Sequence, residues 1–473
     1  MRTTLLAGLA LALLGGGAHD AAAASRFPQD PYPSTYRPVP SGPVLLANAT
    51  VLTGTGERLD GADVLLDGGK VAAVGRGLSA PAGATRVDAT GKWVTPGLID
   101  VHSHLGVYPS PGVKAHSDGN EMVSPVTANV WAEHSIWAQD PGFHAALAGG
   151  ITTLQILPGS ANLVGGRGVT LKNVASTSYQ GMKFPGAPWG LKMACGENPK
   201  RVYGQKGGPA TRMGNVAGYR AAFIDASEYL KKNAPKPQQP KKKRWWERAS
   251  GGEKPDSAGD SGGKRDLKLD TLAGAINGEI LVHIHCYRAD EMTTMLDLAK
   301  EFGFKIAAFH HGVEAYKLAD RLAQENVCGA LWADWWGFKM EAFDGIQENI
   351  ALVDRPANSC AIVHSDSEEG IQRLNQEAAK VIANARRAGM GEIAPERAIR
   401  WLTANPARAL GVADRTGTLE PGKMADVVVW NQNPFSVYAK AEQVYIDGAR
   451  LYDRHDPARQ PKSDFLLGQE VMP

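Results

Sequence analysis

The sequence has few cysteines, little net charge and few long apolar runs. Each of these features excludes some classes of protein. Only four cysteines occur in 473 residues, and none lies in a C-x-x-C spacing. A chain of this length buries enough apolar surface to fold without disulfide bonds. We therefore expect small buried thiols, with one disulfide as the alternative. After the N-terminus no apolar run reaches the roughly 18 to 20 residues of a membrane span, so we expect no transmembrane helix.

The formal charge is only +2, and it is unevenly distributed. Residues 231–268 hold 12 Lys and Arg against 5 Asp and Glu, a local charge of +7, so the rest of the chain carries −5. The basic run KKKR at 241–244 precedes Trp245 and Trp246. Such a patch can bind nucleic acid or an acidic surface, but the surrounding Ser, Gly and Asp are typical of a flexible, solvated loop. We expect a basic flexible insert and no nucleic-acid partner.

The N-terminus has the three parts of a secretory signal. Arg2 supplies a positive charge, residues 5–14 are apolar, and Ala22, Ala23 and Ala24 form a small-residue cleavage site. The glycines at 15–17 and a proline-rich leader at 25–43 argue against a buried helix at this end. The sequence predicts a signal peptide over residues 1–24 and a periplasmic or secreted mature protein.

Two β-rich segments flank a long α/β region. Residues 44–52, 62–74 and 92–94 are typical of short strands, with glycines at their turns, and residues 426–430 and 444–447 have the same character. We predict a small β-sandwich built from residues 44–95 and 412–455, with residues 96–411 inserted in it as a separate catalytic domain.

Strands and helices alternate within the inserted region. Its apolar, strand-like runs lie at 97–101, 151–157, 169–174, 190–194, 279–285, 305–309, 327–332 and 360–363. After the fifth run, Met292, Met295, Leu296 and Ala299 show helical spacing, and Asp290 is placed to cap this helix. Eight alternations predict an α/β fold with a parallel sheet closed into a (β/α)₈ TIM-like barrel.

Histidines gather at the ends of four of these strands. Seven of the 12 lie in His102-Ser103-His104, His283-Ile284-His285, His310-His311 and His364-Ser365-Asp366. In a strand, residues i and i+2 point to the same side, and barrel enzymes build their sites at the carboxyl ends of the strands. A single histidine is more often structural than a ligand, but four clusters at strand ends predict a shared metal site.

The fourth strand adds two further candidates. Lys192 would be costly to bury unless it is neutralised or modified, and as an N6-carboxylysine it would bridge two cations. Glu197 could bridge without modification, and a structural ion pair is the alternative role of Lys192.

These motifs resemble the amidohydrolase superfamily, in particular its imidazolonepropionase-like branch. The phrases VTPGLID at 94–100 and GTLEPGKMAD at 417–426 add to the resemblance, which extends from Val44 to about Tyr452. It implies that His102 and His104 bind one metal, that Lys192 or Glu197 bridges, and that His285 and His311 bind a second metal. Asp366 completes the implied site. His285 is preferred over His283, and His311 over His310, on the residues that follow each.

The implied chemistry is hydrolysis by metal-bound hydroxide. Imidazole and carboxylate ligands suit one or two divalent ions, Zn²⁺ first, with Mn²⁺, Fe²⁺ or Co²⁺ as alternatives. Such an ion lowers the pKa of bound water to near 7 and polarises the scissile carbonyl. Asp366 is the candidate general base and acid, and His364 the residue that orients Asp366 or touches the substrate.

The substrate is much less visible in the sequence. We expect cleavage of a C–N bond in an amide, cyclic amide or dipeptide, with Arg288, Arg201 and Tyr203 as candidate substrate-binding residues. Two alternatives stay open: a heterocycle deaminase on the same barrel, and a non-catalytic envelope protein that binds through the basic insert. A homo-oligomer is compatible with the sequence.

Overall fold

The computed structural model describes residues 30–233, 264–335 and 337–460. The predicted signal peptide, the first part of the leader, most of the basic insert and Trp336 lie outside these residues. Elements are numbered in chain order. The N-terminal strands are β1 Val44–Leu52, β2 Arg58–Asp67, β3 Lys70–Gly75, β4 Thr85–Asp88 and β5 Trp93–Pro96.

The barrel strands follow, and all eight coincide with the predicted runs to within a few residues. They are β6 Leu98–Ser103, β7 Ile151–Ile156, β8 Val164–Lys172, β9 Trp189–Ala194, β10 Ile280–His285, β11 Ile306–His310, β12 Cys328–Leu331 and β13 Ala361–Val363. The C-terminal strands are β14 Val427–Trp430, β15 Ala441–Ile446 and β16 Ala449–Asp453.

The helices mostly connect the barrel strands and cover their outer face. They are α1 Pro141–Ala148, α2 Tyr179–Met182, α3 Glu197–Tyr203, α4 Arg212–Asn233, α5 Leu267–Ile276, α6 Ala289–Phe302, α7 Ala319–Gln324, α8 Asn349–Val353, α9 Leu374–Arg387, α10 Pro395–Ala398 and α11 Ala404–Ala409. Among the described residues, none of these helices has both the length and the apolar character of a membrane span.

Both ends of the chain contribute to one sheet, ordered β16-β15-β14-β5-β1-β2-β3, with β4 beside β1. The two ends meet where β5 pairs antiparallel with β14, so that Pro96 lies opposite Val427. This arrangement confirms the predicted β-domain with an inserted barrel. Buried Lys172 of β8 ties the two parts together, since its Nζ lies 2.9 Å from Asp426 Oδ1 and 2.9 Å from Asp447 Oδ2.

The barrel sheet runs in chain order from β6 to β13, which confirms the predicted barrel. Its two ends are joined by contacts of Ser365, which follows β13: the backbone N–H and the hydroxyl both donate to the buried carboxylate of Asp100 in β6. A closed sheet of this kind brings the carboxyl ends of its strands around one opening.

The third strand departs from the expected parallel order, because β8 pairs antiparallel with both β7 and β9. A parallel connection requires a crossover of a dozen or more residues. Only residues 157–163 separate β7 from β8. This link is too short for a crossover, so the chain turns back instead.

The helix predicted after the fifth strand is α6, and its predicted core positions Met292, Met295 and Leu296 are buried. The predicted cap is wrong: Asp290 lies in the first turn, where its carboxylate pairs with Arg212 and Arg288. The helix ends at Gly303, whose φ of +80° is a left-handed conformation that favours glycine.

Candidate metal centre and active site

The candidate site lies at the carboxyl ends of the barrel strands, where β6 and β13 bring three predicted ligands together. Asp366 Oδ1 lies 3.3 Å from His102 Nε2 and 3.1 Å from His104 Nε2. The Nδ1 atom of His104 lies 2.8 Å from the carbonyl oxygen of Leu157, which fixes the orientation of the ring. Because His102 and His104 are two residues apart, both rings face the opening.

Two further histidines approach from β11 and from the end of β13. His311 Nε2 lies 3.9 Å from Asp366 Oδ2, and the His311 ring centroid lies 4.8 Å from that of His364. His311 and Asp366 both have left-handed backbones, with φ of +68° and +54°. Such conformations are uncommon for residues other than glycine and concentrate at functional sites. They allow each side chain to turn inward immediately after its strand.

His285 lies at the edge of the same group. Its ring centroid is 4.8 Å from that of His311, and its Nε2 lies 3.4 Å from Asn198 Nδ2. Within the described parts of the chain, two sets of three residues have possible ligand atoms that all lie within 4.8 Å of one another: His102, His311 and His364 form one set, and His102, His104 and Asp366 form the other.

The structure separates the two residues that compete as the bridge. Lys192 is fully buried in β9, with its Nζ 3.3 Å from His102 Nε2 and 3.0 Å from the carbonyl oxygen of Pro158. Glu197 points elsewhere, since its Oε1 lies 3.5 Å from Lys339 Nζ. The arrangement therefore brings Lys192, and not Glu197, to the histidines.

His310 and His283, over which His311 and His285 were preferred as ligands, form a second layer behind His102. His310 Nδ1 lies 2.8 Å from His102 Nδ1, and His310 Nε2 lies 2.9 Å from His283 Nδ1. His283 in turn approaches Gln155. A hydrogen bond to the rear nitrogen of a ligating histidine fixes its tautomer and its ring orientation. His310 thus positions His102, and His283 positions His310 in turn.

The protonation of these rings fits a metal site. Burial lowers the pKa of His102, His285 and His311 well below the ordinary value, and it lowers the pKa of His364 to about 3. Neutral imidazole is the form that ligates metals. Among the described residues, His364 has no hydrogen-bond partner at either ring nitrogen. Buried, unpartnered donors that face a carboxylate are what a cation would satisfy, so these residues fit a divalent metal.

The pKa values of two carboxyl groups and one lysine at the site are shifted from their ordinary values. Burial acts to raise the pKa of Asp366, but His104 and His364 outweigh it and lower this pKa below its ordinary value. Burial raises the pKa of Asp100 to about 7, against the hydrogen bonds from Ser365 and from the backbone of His102. This contact could not be predicted from local sequence, because 265 residues separate Asp100 and Ser365. Burial also lowers the pKa of Lys192 to about 8.

A cavity of about 670 Å³ opens onto these residues. Its lining consists of His104, Tyr108, Asn120, Gly159, Ser160, Asn198, His285, Tyr287, Trp332, Asp334, Trp335, Phe338 and Asp366. Three of these residues, Tyr287, Trp332 and Phe338, were not predicted from the sequence. Tyr287 and Trp332 come within two residues of the ends of β10 and β12, and this position could have indicated them.

The three predicted substrate-binding residues are not among those that line this cavity. Arg288 pairs with the carboxylate of Asp290 at 3.3 Å, and Arg201 is exposed on α3. Tyr203 is buried, and its hydroxyl accepts a hydrogen bond from Asn162 Nδ2 at 2.8 Å. None of the three therefore lines the cavity.

Comparison with known proteins points to one family. The profile of the amidohydrolase family matches residues 371–452. A solved amidohydrolase from Thermotoga maritima is 36% identical, with a TM-score of 0.75 over 87% of this chain and 100% of its own. The amidohydrolase tasK of Hapsidospora irregularis is 32% identical over 83% of this chain. This chain spans 40% of the length of tasK.

An adenosine deaminase from Xanthomonas campestris, solved with bound zinc, is also similar in structure. The two chains are 16% identical, with a TM-score of 0.50 over 90% of this chain and 95% of the other. Identity at this level supports a common fold and nothing about the reaction.

Proposed function

The chain belongs to the amidohydrolase superfamily, and from that premise we propose that it hydrolyses a C–N bond of an amide, cyclic amide or dipeptide with one or two divalent metal ions. The observation that carries the proposal is the convergence of four histidines and one carboxylate at the barrel opening, namely His102, His104, His311, His364 and Asp366. Imidazole and carboxylate donors suit Zn²⁺, with Mn²⁺, Fe²⁺ and Co²⁺ as alternatives.

In the proposed reaction, the histidines serve as metal ligands and Asp366 transfers the proton. A divalent ion held by these histidines supplies Lewis acidity and lowers the pKa of water toward 7. Asp366, whose pKa is lowered, is ionised at neutral pH and can accept the proton of the attacking water. It then delivers that proton to the leaving nitrogen as the C–N bond breaks and a C–O bond forms. His104 Nε2, whose ring is oriented by the Leu157 carbonyl, faces the same carboxylate.

We also propose that the protein is exported. Two disulfides, Cys195–Cys286 and Cys328–Cys360, support this proposal. Disulfides form and persist mainly in oxidising compartments such as the periplasm or the extracellular space.

The deciding experiment combines metal analysis with a substrate panel. Purified protein is assayed for bound metal and for hydrolysis of dipeptides and cyclic amides, before and after chelation. We expect Asp366→Asn to retain metal and to lose about 10²- to 10⁴-fold in kcat, because general acid–base transfer contributes about that much. Asp290→Asn, which alters an exposed carboxylate outside the cavity, is the matched control and should keep full activity.

Two outcomes would overturn the proposal. One is full activity of Asp366→Asn with its metal in place, and the other is turnover that chelation does not affect. Ammonia release from heterocycles, without hydrolysis of any amide, would favour the alternative of a deaminase.

A further inference from the structure

Several exposed apolar side chains follow β12, and two of them line the catalytic cavity. Trp335, Phe338, Met340 and Phe343 all follow β12 and are between 41% and 77% exposed. Single apolar residues on a surface are ordinary, but apolar side chains that line a cavity mark a place where a ligand can bind. Trp335 and Phe338 line the cavity, whereas Met340 does not.

The apolar surface continues inward to the metal centre. We name Tyr287, Trp332, Trp335 and Phe338 the aromatic wall. The ring of Trp332 stacks on His311 with centroids 4.1 Å apart, and the ring of Trp335 stacks on Trp332 at 5.3 Å. Phe338 lies edge-on to Trp332 at 5.6 Å. One apolar surface thus runs from a candidate metal ligand to the rim.

Polar contacts hold the segment that carries the wall. Lys339 Nζ donates to Asn198 Oδ1 at 3.0 Å and lies 4.4 Å from the ring centroid of Tyr287. Asp334 accepts from Lys380 Nζ at 3.1 Å. The wall is therefore formed before a ligand arrives, which lowers the entropic cost of binding.

The cavity also has polar lining residues. Tyr108, Asn120, Ser160 and Asn198 line it, and their hydroxyl and amide groups can bond to the C=O and N–H of an amide. A cavity of about 670 Å³ is the size of a small-molecule or dipeptide site. The cavity therefore offers both the apolar and the polar contacts that an apolar-substituted amide would use.

We propose that the substrate carries an aromatic or large aliphatic group beside the scissile C–N bond and that the aromatic wall selects it. This inference rests on the proposed function and names the substrate class of that site. A phenyl group would bury its faces against Phe338 and Trp335, while its amide remains over Asp366. Aromatic pairs of this kind contribute beyond the area they bury.

The test compares matched dipeptides, Phe-Ala and Ala-Phe against Ala-Ala. We expect wild-type protein to prefer one phenylalanine dipeptide over Ala-Ala by about 10-fold or more in kcat/KM, as apolar pockets discriminate between side chains of different size. Phe338→Ala and Trp335→Ala should lower this preference, measured as the ratio of kcat/KM for the phenylalanine dipeptide to kcat/KM for Ala-Ala. Met340→Ala, on the same segment but outside the cavity, is the control that should keep it.

A binding measurement separates failure of this inference from failure of the proposed function. Calorimetric titration of metal-loaded Asp366→Asn with the same three dipeptides should show tighter binding of one phenylalanine dipeptide, which Phe338→Ala in that background abolishes. If no dipeptide is hydrolysed but this difference appears, the proposed function fails and the apolar selectivity stands. Equal binding of all three, or equal losses in the Met340→Ala and Phe338→Ala variants, would overturn the inference.

Discussion

At the scale of single residues, the position of Lys192 distinguishes it from Glu197 as the candidate metal bridge. Its Nζ lies 3.3 Å from His102 Nε2, while Glu197 is held by Lys339. We expect Lys192→Ala to lose bound metal and more than about 100-fold in kcat/KM, since ligand positions are at least as sensitive as the groups behind them. Glu197→Gln should keep its metal content. Metal analysis and kinetics check both variants, and the reverse pattern would assign the bridge to Glu197.

Glu133 predicts a pH dependence of stability. Burial raises its pKa to about 7 from an ordinary value of 4.5, although Lys183 Nζ lies 3.1 Å away. Between these two values the folded protein binds more protons than the unfolded chain, so stability falls as pH rises through this window. Glu133→Gln removes that loss. The free energy of unfolding of the variant relative to wild type should rise by about 1 to 3 kcal/mol across the window.

Urea denaturation at several pH values from acidic to neutral measures this difference. Glu121→Gln, which alters an exposed carboxylate, should show no such trend. A difference between Glu133→Gln and wild type that is constant with pH would contradict the assignment.

At the scale of elements, two disulfides tie neighbouring barrel strands. Cys195 and Cys286 follow β9 and β10, and Cys328 of β12 pairs with Cys360 just before β13. The prediction of buried free thiols was therefore wrong. Strands that pair in a parallel sheet lie far apart in sequence, so the pattern of cysteines along the chain did not show which of them would meet.

These bridges should be measurable as stability. They enclose 91 and 32 residues, and removal of each should lower the free energy of unfolding by about 2 to 5 kcal/mol, with the larger loss for the longer loop in the chain-entropy account. Thermal denaturation with and without reductant tests this, and a variant with all four cysteines replaced by alanine should not respond to reductant. Free thiols in denatured, unreduced protein would refute the pairing.

At the scale of the whole molecule, the basic insert begins and ends at one place on the barrel. The described part of the insert has two ends. Residues 231–233 finish α4, and residues 264–268 lead into α5. The Tyr229 hydroxyl donates to Asp270 Oδ1 at 2.7 Å, so the two helices meet beside the insert. A short linker can therefore replace the segment between them at little cost in loop entropy.

We expect replacement of residues 234–263 by a short Gly-Ser linker to leave metal content and kcat/KM unchanged, because none of the described residues of the catalytic cavity belongs to the insert. Steady-state kinetics with the best substrate of the panel checks this. A protein that folds and binds metal but no longer turns over would make the insert part of the catalytic unit.

The sequence by itself determined the barrel, the enclosing β-domain and the positions of the histidines at the strand ends. Apolar periodicity and the two-residue alternation of a strand are local properties that can be read along the chain. Only the tertiary structure decided the antiparallel β8, the separation of Lys192 from Glu197, the disulfides and the aromatic wall. Each depends on which distant segments become neighbours when the sheet closes, and packing, rather than local sequence, determines that.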